Sequence, residues 1–196
     1  MRGISPTRGF GLLEAWLARA RAKRANSLIP EAARCGTIID IGCGVPATFL
    51  ATTRFGRKIG IDIRTAHESD SVESIERIVF DVTKGLLPLM DESADVVTML
   101  AMIEHVPRES IPTLLADIRR ILRPKGLLVI TSPTPFARAP LWILSMLGLI
   151  SREEIRDHKG LLHAQDLTSM LESAGMSTLG QGTFEWGMNT WLLASR

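Results

Sequence analysis

Asp40, Gly42 and Gly44 form the spacing with the clearest chemical meaning in this 196-residue sequence. They directly follow Ile38 and Ile39, a pattern typical of a buried strand that ends in a tight turn. Glycine adopts positive φ values easily and lets a ligand approach the backbone, because it has no Cβ. A carboxylate at the carboxyl end of a parallel strand is costly to bury unless a donor binds it. The spacing therefore predicts a ligand site at this turn, with Asp40 facing a cation or an amine.

Two further acidic residues end the next two predicted strands. Asp62 lies 22 residues after Asp40 and is expected beside the glycine turn, where a carboxylate can accept both hydroxyls of an adenosine ribose. Asp81 closes the third predicted strand, where its carboxylate can meet the adenine amino group. The three carboxylates together predict a site for an adenosine-containing ligand.

The glycine turn is compatible with two classes of cofactor. Gly42, Gly44 and Ala47 satisfy the loose dinucleotide pattern G-x-G-x-x-G/A, so a protein with a Rossmann fold that binds NAD(P) stays open as an alternative. Asp40, however, stands where dinucleotide-binding strands usually keep an apolar residue. A carboxylate there suits the α-amino group of S-adenosylmethionine, and this favours the sulfonium cofactor.

Apolar strand patterns alternate with helical patterns along the chain, which predicts a layered α/β fold. Strands are predicted over residues 37–41, 58–63, 77–80, 95–101, 126–131, 177–185 and 189–194. Helices are predicted over residues 9–27, 47–53, 107–122 and 164–174, with a short or degenerate one within 65–76. We expect an N-terminal helical segment, residues 1–36, whose helix packs through Trp16 and Leu17 against the edge of the sheet, followed by one domain, residues 37–196.

Later segments extend the glycine pattern into an ordered set of motifs. Leu87-Pro88 precedes Asp95, the sequence Glu104-His105-Val106 follows the fourth strand, and Arg120 to Gly126 forms an Arg-x-Leu-x-Pro-x-Gly turn before the fifth. With these motifs the chain resembles the class I S-adenosylmethionine-dependent methyltransferases, in particular the small-molecule group that includes the ubiquinone/menaquinone and the sugar or natural-product enzymes. One difference is Pro46, which stands where many members have a third glycine.

The resemblance implies a Rossmann-like three-layer sandwich, with a mostly parallel seven-stranded sheet and an antiparallel last strand. It also implies that S-adenosylmethionine lies across the carboxyl ends of the first strands and leaves as S-adenosylhomocysteine. The residues implied to bind this cofactor are Asp40, Gly42, Cys43, Gly44, Asp62, Ile63, Asp81, Val82 and Ala101.

Two histidines are candidates for acid–base chemistry. The sulfonium methyl needs little beyond alignment with its acceptor, but an oxygen or acidic-carbon acceptor must also lose a proton. His105 follows the fourth strand, whose end faces the transferring methyl in this fold, and is the first candidate for the base. His158 lies in the insertion after the fifth strand and is the second candidate.

The acceptor has to be inferred from an insertion at about residues 134–160. Its centre, residues 140–150, is apolar on every face of a helix and cannot simply face water. It suits a lid over an apolar or lipid-linked small molecule, a peripheral membrane contact or a homodimer surface. Whether O-, N- or C-methylation results stays open, as does a non-catalytic protein that only binds cofactor.

Composition and residue spacing argue against some classes of acceptor and of cofactor. A net charge of +2, 5% aromatic residues and no tyrosine argue against a nucleic-acid acceptor. No carboxylates and histidines have metal-ligand spacing, and two cysteines without a paired framework predict reduced thiols and a cytoplasmic protein. A basic group near the N-terminus is explained by a solvated helix face or by contact with a phosphate, an anionic lipid or RNA. Its members are Arg19, Arg21, Lys23 and Arg24.

Overall fold

The computed structural model describes residues 12–65, 74–137 and 164–196. The helices are α1 (Leu12–Leu28), α2 (Thr48–Thr52), α3 (Ile111–Ile121) and α4 (Ala164–Ser173). The strands are β1 (Thr37–Ile41), β2 (Arg57–Asp62), β3 (Glu76–Val79), β4 (Ala94–Leu100), β5 (Leu122–Pro133), β6 (Ser177–Phe184) and β7 (Asn189–Ser195). Short 3-10 turns cover Glu31–Cys35, Ile103–His105, Arg108–Ser110 and Pro135–Ala137.

The seven strands form one sheet in the order β3-β2-β1-β4-β5-β7-β6. The pairs from β3 to β5 are parallel, whereas β7 runs antiparallel to both β5 and β6. The predicted fold class, a Rossmann-like sheet of seven strands with an antiparallel last strand, is confirmed. Because β1, β2 and β4 are parallel, their carboxyl ends meet at one edge of the sheet, and this edge is where Asp40 and Asp62 lie.

Apolar side chains fill both faces of the central strands. On one face Ile38 of β1 packs with Ala25 of α1 and Leu50 of α2. On the other face Ile39 packs with residues of α3 and α4, including Ile118 and Leu171. Alternation along β1 therefore supplies both layers of the core, which is why this strand reads as a continuous apolar run.

The first helix does not pack where the sequence suggested. It lies over β4, β5 and β7, near the middle of the sheet, so the prediction that it covers the edge was wrong. Ala25 is fully buried, but Trp16, assigned to the packing face, is 45% exposed. The large residues at helical spacing suggested a buried face that includes Trp16. The described alanines Ala22 and Ala25 instead pack against the sheet.

Several element ends differ from the prediction by one or a few residues. The helix predicted over residues 107–122 begins at Ile111, because Pro107 is extended (ψ 136°) and a 3-10 turn follows it. Strand β2 ends at Asp62, so Ile63 lies beyond the sheet and is 55% exposed. Strand β5 starts at Leu122, where it already pairs with Ala94 before a register shift.

Some predictions fall outside the described residues. These are most of the short helix expected within 65–76, the apolar centre of the insertion at 140–150, and His158. None of the helices that the structure describes is long and apolar enough to cross a bilayer.

Candidate functional site

The turn after β1 is built by two glycines with left-handed backbone. Gly42 has φ of 77° and Gly44 has φ of 75°, and the Val45-Pro46 peptide is cis. A Cβ on Gly42 would lie 2.4 Å from Cγ of Met102, so a side chain there would both strain the backbone and displace Met102. The turn passes over the end of β2, where the Gly42 N–H donates to the carbonyl of Ile61 at 2.8 Å.

Asp40 is buried immediately beneath this turn, with 3% of its surface exposed. The Thr98 hydroxyl donates to Asp40 Oδ1 at 2.6 Å. Burial raises the pKa of Asp40 to about 7, and the nearby charge of Asp62 adds to the rise. The carboxylate thus lacks a cation within the described residues and gains its charge only near neutrality, so a bound ammonium group would suit it.

Asp62 holds the turn from the neighbouring strand. Its Oδ2 accepts the Gly44 N–H at 2.8 Å, while its Oδ1 accepts the Arg64 backbone N–H at 3.0 Å and Arg64 Nε at 3.1 Å. Burial raises the pKa of this carboxyl, but the hydrogen bonds and charge of Arg64 together with the Gly44 bond outweigh it, so the pKa lies below its usual value. Asp62 is therefore ionised, and among the described residues only Gly44 donates to Oδ2, which leaves it one lone pair for a hydroxyl.

The structure brings the first predicted site residues together. Asp40 and Asp62 lie on either side of the glycine turn, close enough for the charge of one to raise the pKa of the other. Cys43, between the two glycines, is buried, and burial raises the pKa of its thiol to about 12. Cys43 is consequently a neutral packing residue rather than a nucleophile.

The residues predicted for the adenine side lie past the ends of β2 and β3. Ile63 offers an exposed aliphatic surface next to Asp62, and Val82 is half-buried. Asp81 lies two residues beyond β3, one residue further from the end of the strand than predicted, and its Oδ1 accepts both the backbone N–H and the hydroxyl of Thr83. Lys84 Nζ lies 3.8 Å from Asp81 Oδ2. This rim combines an apolar surface with a carboxylate, the two features that an adenine base needs.

The end of β4 supplies the other wall of the site. Ala101 has φ of 53°, an uncommon value for a residue with a side chain, and its N–H donates to the Thr131 carbonyl at 2.9 Å. His105 follows in the 3-10 turn Ile103–His105 and is half-buried. Unusual backbone of this kind is often found at functional sites, since the surrounding fold must hold it in place.

Three residues that the sequence did not predict at this turn contribute to it. Thr98 donates to Asp40, Met102 packs on Gly42, and Arg77 Nη2 donates to the Gly44 carbonyl at 2.8 Å. Arg77, Gly60, Asp40 and Thr98 occupy paired positions on four adjacent strands. The absence of a side chain at Gly60 leaves room for the Cys43 thiol, because a Cβ there would lie 2.7 Å from Sγ. The one available signal was a polar residue, Thr98, within an otherwise apolar central strand.

The second candidate base, His158, lies outside the described residues, so its position relative to His105 stays a prediction. Across residues 12–65, 74–137 and 164–196, no three histidine, cysteine or acidic side chains are grouped as a metal ion would require.

The sequence and the fold both match known proteins. Residues 39–130, from β1 to β5, match the family model described as a methyltransferase domain. No curated protein matches the sequence.

Solved structures with a similar fold include two S-adenosylmethionine-dependent methyltransferases. The protein from Mesorhizobium loti is 16% identical, with a TM-score of 0.69 over 92% of this chain and 100% of that chain. The protein from Archaeoglobus fulgidus is 18% identical, with a TM-score of 0.66 over 91% and 94% of the two chains. The N-methyltransferase NodS from Bradyrhizobium japonicum is 14% identical, with a TM-score of 0.64 over 94% and 99%. At these identities the likeness concerns the fold.

Proposed function

We propose that this chain is a class I S-adenosylmethionine-dependent methyltransferase and that it methylates a small acceptor that is apolar or lipid-linked. The observation that carries the cofactor part is the pair of carboxylates around the glycine turn. Within the described residues, Asp40 is buried without a cationic partner, and Asp62 is ionised with one lone pair of Oδ2 unoccupied. An ammonium group and a ribose hydroxyl are the partners that these two environments favour.

The residues fit the cofactor in a consistent order along the sheet edge. Asp40 would bind the α-amino group, Asp62 the ribose, and the rim formed by Ile63, Asp81 and Val82 the adenine. When bound, S-adenosylmethionine supplies an electrophilic methyl group, so the chain has mainly to align an acceptor with it. The wall formed by Ala101 and His105 at the end of β4 is where we place that alignment.

The acceptor class rests on the sequence that follows β5. Residues 140–150 are almost entirely apolar, and Phe136, just before them, is 69% exposed. A small apolar or lipid-linked acceptor would give such residues a partner; a membrane contact or a second copy of the chain are the alternatives. If the acceptor atom is an oxygen or an acidic carbon, we assign His105 as the base. The free thiols Cys35 and Cys43 support a cytoplasmic location as part of the same proposal.

Calorimetry tests the cofactor assignment. We expect S-adenosylmethionine and S-adenosylhomocysteine to bind and NADH not to compete with them. Replacing Asp62 by alanine should weaken binding by about 1–3 kcal/mol, the usual cost of leaving hydrogen-bonding groups without a partner. Asp166→Ala, which removes an acidic residue from α4, serves as the control and should bind normally. Displacement of the bound cofactor by NADH would refute the assignment.

Transfer of a labelled methyl group tests the acceptor class. Incubation of the protein and labelled cofactor with cell extract, followed by separation of lipid, aqueous, protein and nucleic-acid fractions, should place the label in the lipid fraction. Label in the aqueous fraction would overturn the apolar acceptor while leaving the enzyme assignment intact. Label in none of them, with normal cofactor binding, would favour a protein that only binds cofactor.

A further inference from the structure

Helix α1 presents one exposed stripe to solvent. Trp16, Arg19 and Lys23 are exposed, while the residues between them are partly buried. Their spacing of three and then four residues places them on one side of a helix. This stripe contains one large aromatic side chain and two cations.

A second tryptophan extends the stripe at its N-terminal end, next to Trp16. Trp186, in the turn between β6 and β7, is 83% exposed, and its ring stacks on that of Trp16 with centroids 6.1 Å apart and planes 18° from parallel. We call the set Trp16, Arg19, Lys23 and Trp186 the tryptophan stripe. Two adjacent exposed indoles form an apolar projection with polar N–H edges, a combination that proteins use where an apolar phase meets water.

The projection lies at the same edge of the sheet as the cofactor site. Asn189 at the start of β7 pairs with Pro133 at the carboxyl end of β5. The turn that carries Trp186 is fastened there, because the Thr134 hydroxyl donates to the Gly187 carbonyl at 2.7 Å. A surface that bound the tryptophan stripe would therefore lie alongside the mouth of the site.

Folding alone does not account for the exposure of Trp186. Glu185 and Trp186 both have φ of 53°, and Gly187 has φ of 81°, so three successive residues have left-handed backbone. Such values are unfavourable for residues with a side chain. The turn thus bears a backbone penalty and leaves an indole in water, which points to a use outside the folded chain.

The other basic residues of α1 already have partners. Arg24 lies over the rings of Trp191 and Phe184, at 5.2 and 6.0 Å from their centroids. The positive charge of Arg21 acts on Glu185, whose carboxylate also accepts a hydrogen bond from Asn189.

Arg19 and Lys23 make no ion pair within the part of the chain that the structure describes. As far as the described residues are concerned, these two cations are available to an external anion, and they lie on the same side of the helix as Trp16.

We propose that the tryptophan stripe binds the surface of an anionic lipid bilayer. Indoles favour the headgroup region, and each lysine or arginine near an anionic surface adds to the attraction. With a rise of 1.5 Å per residue, Arg19 lies about 5 Å and Lys23 about 10 Å along the helix from Trp16. The stripe therefore covers about 10 Å of surface, over which the cations can meet lipid phosphates while the indoles lie among the headgroups. The stripe deepens the proposed function by bringing the site to a lipid-linked acceptor, but it does not depend on transfer itself.

Vesicle binding by the full chain, without cofactor, tests this proposal. We expect co-sedimentation with vesicles of phosphatidylcholine and phosphatidylglycerol at low salt, and little binding to pure phosphatidylcholine or at high salt. Trp186→Ala should lower the partition coefficient about tenfold, since an indole is no longer buried in the bilayer. The double variant Arg19→Gln with Lys23→Gln should lower it about fivefold for each charge removed.

Matched variants separate this surface from general effects. Leu179→Ala removes an exposed apolar residue, 58% accessible, from β6, and Arg54→Gln with Lys125→Gln removes two exposed charges at the other end of the sheet. These controls should keep the partition coefficient of the parent chain. Circular dichroism and S-adenosylhomocysteine binding, measured on every variant, report on folding and on the cofactor site.

Equal losses in the test and control variants would overturn the proposal, as would failure of the parent chain to bind anionic vesicles. Unchanged vesicle binding by Trp186→Ala would place the membrane contact elsewhere in the chain. If Trp186→Ala instead converts a dimer to a monomer in light scattering and the vesicles remain unbound, the stripe is a contact between copies. If the parent chain binds vesicles normally but does not bind S-adenosylhomocysteine, the result counts against the proposed function and not against the membrane contact.

Discussion

At the scale of single residues, Asp40 combines a cost in folding stability with the binding role that we propose for it. Its carboxyl is buried and hydrogen-bonded by Thr98, and burial raises its pKa to about 7 from 3.8. Between these two values the unfolded chain releases the proton while the folded chain keeps it, so the contribution of Asp40 to stability falls as the pH rises. Above about pH 7 the folded protein carries the full cost of a buried charge.

Asp40→Asn should therefore stabilise the free protein and weaken cofactor binding. The amide removes the buried charge and can still accept the Thr98 hydrogen bond, so we expect a gain on the order of 2 kcal/mol at about pH 8 that shrinks as the pH falls below 7. Urea unfolding at several pH values measures the gain, and calorimetry measures affinity. A stability difference that does not change with pH would contradict this account of Asp40.

Arg64 and Asp62 should affect cofactor binding in opposite directions. Arg64 occupies both lone pairs of Asp62 Oδ1 through its backbone N–H and Nε, so a ribose bound as we propose would compete with its side chain. Arg64→Ala should tighten binding severalfold, whereas Asp62→Ala weakens it. Calorimetry with S-adenosylhomocysteine is the measurement, and Arg54→Ala, at an exposed position of similar charge, is the control. Weaker binding by Arg64→Ala would mean that the arginine orients the carboxylate rather than competes for it.

Residue types predicted the carboxylates of the site but not what surrounds them. Asp40 and Asp62 carry a local signal, because each follows an apolar run next to glycines or at a strand end. Thr98 reaches Asp40 across 58 positions of sequence, and Arg77 reaches Gly44 across 33. Such contacts are set by the register between strands, which a single sequence does not specify.

At the scale of elements, two motifs that suggested the enzyme family fasten the far end of the sheet. Asp95 at the start of β4 accepts the Thr37 N–H at 2.7 Å and pairs with Arg123. Arg120 of α3 bonds the carbonyls of Leu87 and Leu89. These residues lie at the amino ends of the strands, away from the glycine turn, so they act on folding rather than on the cofactor.

Asp117 is the buried residue at the centre of these contacts at the amino ends of the strands. Its carboxylate, with 3% of the side chain exposed, accepts the Leu87 N–H and pairs with Arg120 Nε at 2.6 Å. Asp117→Ala should cost about 3 kcal/mol of unfolding free energy, because it leaves a buried N–H and a guanidinium without their acceptor. Urea denaturation tests this, with Asp91→Ala as control, since that Arg120 partner is 72% exposed and should contribute less than about 1 kcal/mol. A loss under 1 kcal/mol for Asp117→Ala would contradict the role given to it.

Strands were easier to predict than the placement of the first helix. Runs of buried β-branched residues located β1 and the core of β5 within a few residues. Among the described side chains of α1, the fully buried one is the small Ala25, whereas the large Trp16 is 45% exposed. A prediction from hydrophobicity ranks tryptophan above alanine. It therefore assigns the wrong side of this helix to the buried face.

At the scale of the whole molecule, the candidate site and the stabilising ion pairs lie at opposite ends of the sheet. The carboxyl ends carry the glycine turn with Asp40 and Asp62, while the amino ends carry the ion pairs of Asp95 and of Asp117. Strained or charged groups at one end lower stability, and buried hydrogen bonds at the other end offset them. Effects at such distant positions are expected to add.

The increase in unfolding free energy on ligand binding should therefore be unchanged by a substitution at the amino ends of the strands and reduced by one at the carboxyl ends. S-adenosylhomocysteine at about a hundred times its dissociation constant stabilises a protein by about 2.7 kcal/mol when it binds only the folded state. At one fixed ligand concentration, Asp117→Ala should show the same gain as the parent chain despite its lower starting stability. Asp62→Ala, with binding weaker by about 1–3 kcal/mol, should keep a gain of only about 0.3–1.8 kcal/mol. Urea titrations with and without ligand give these differences, and loss of the gain in Asp117→Ala would mean that the two ends are coupled through the strands.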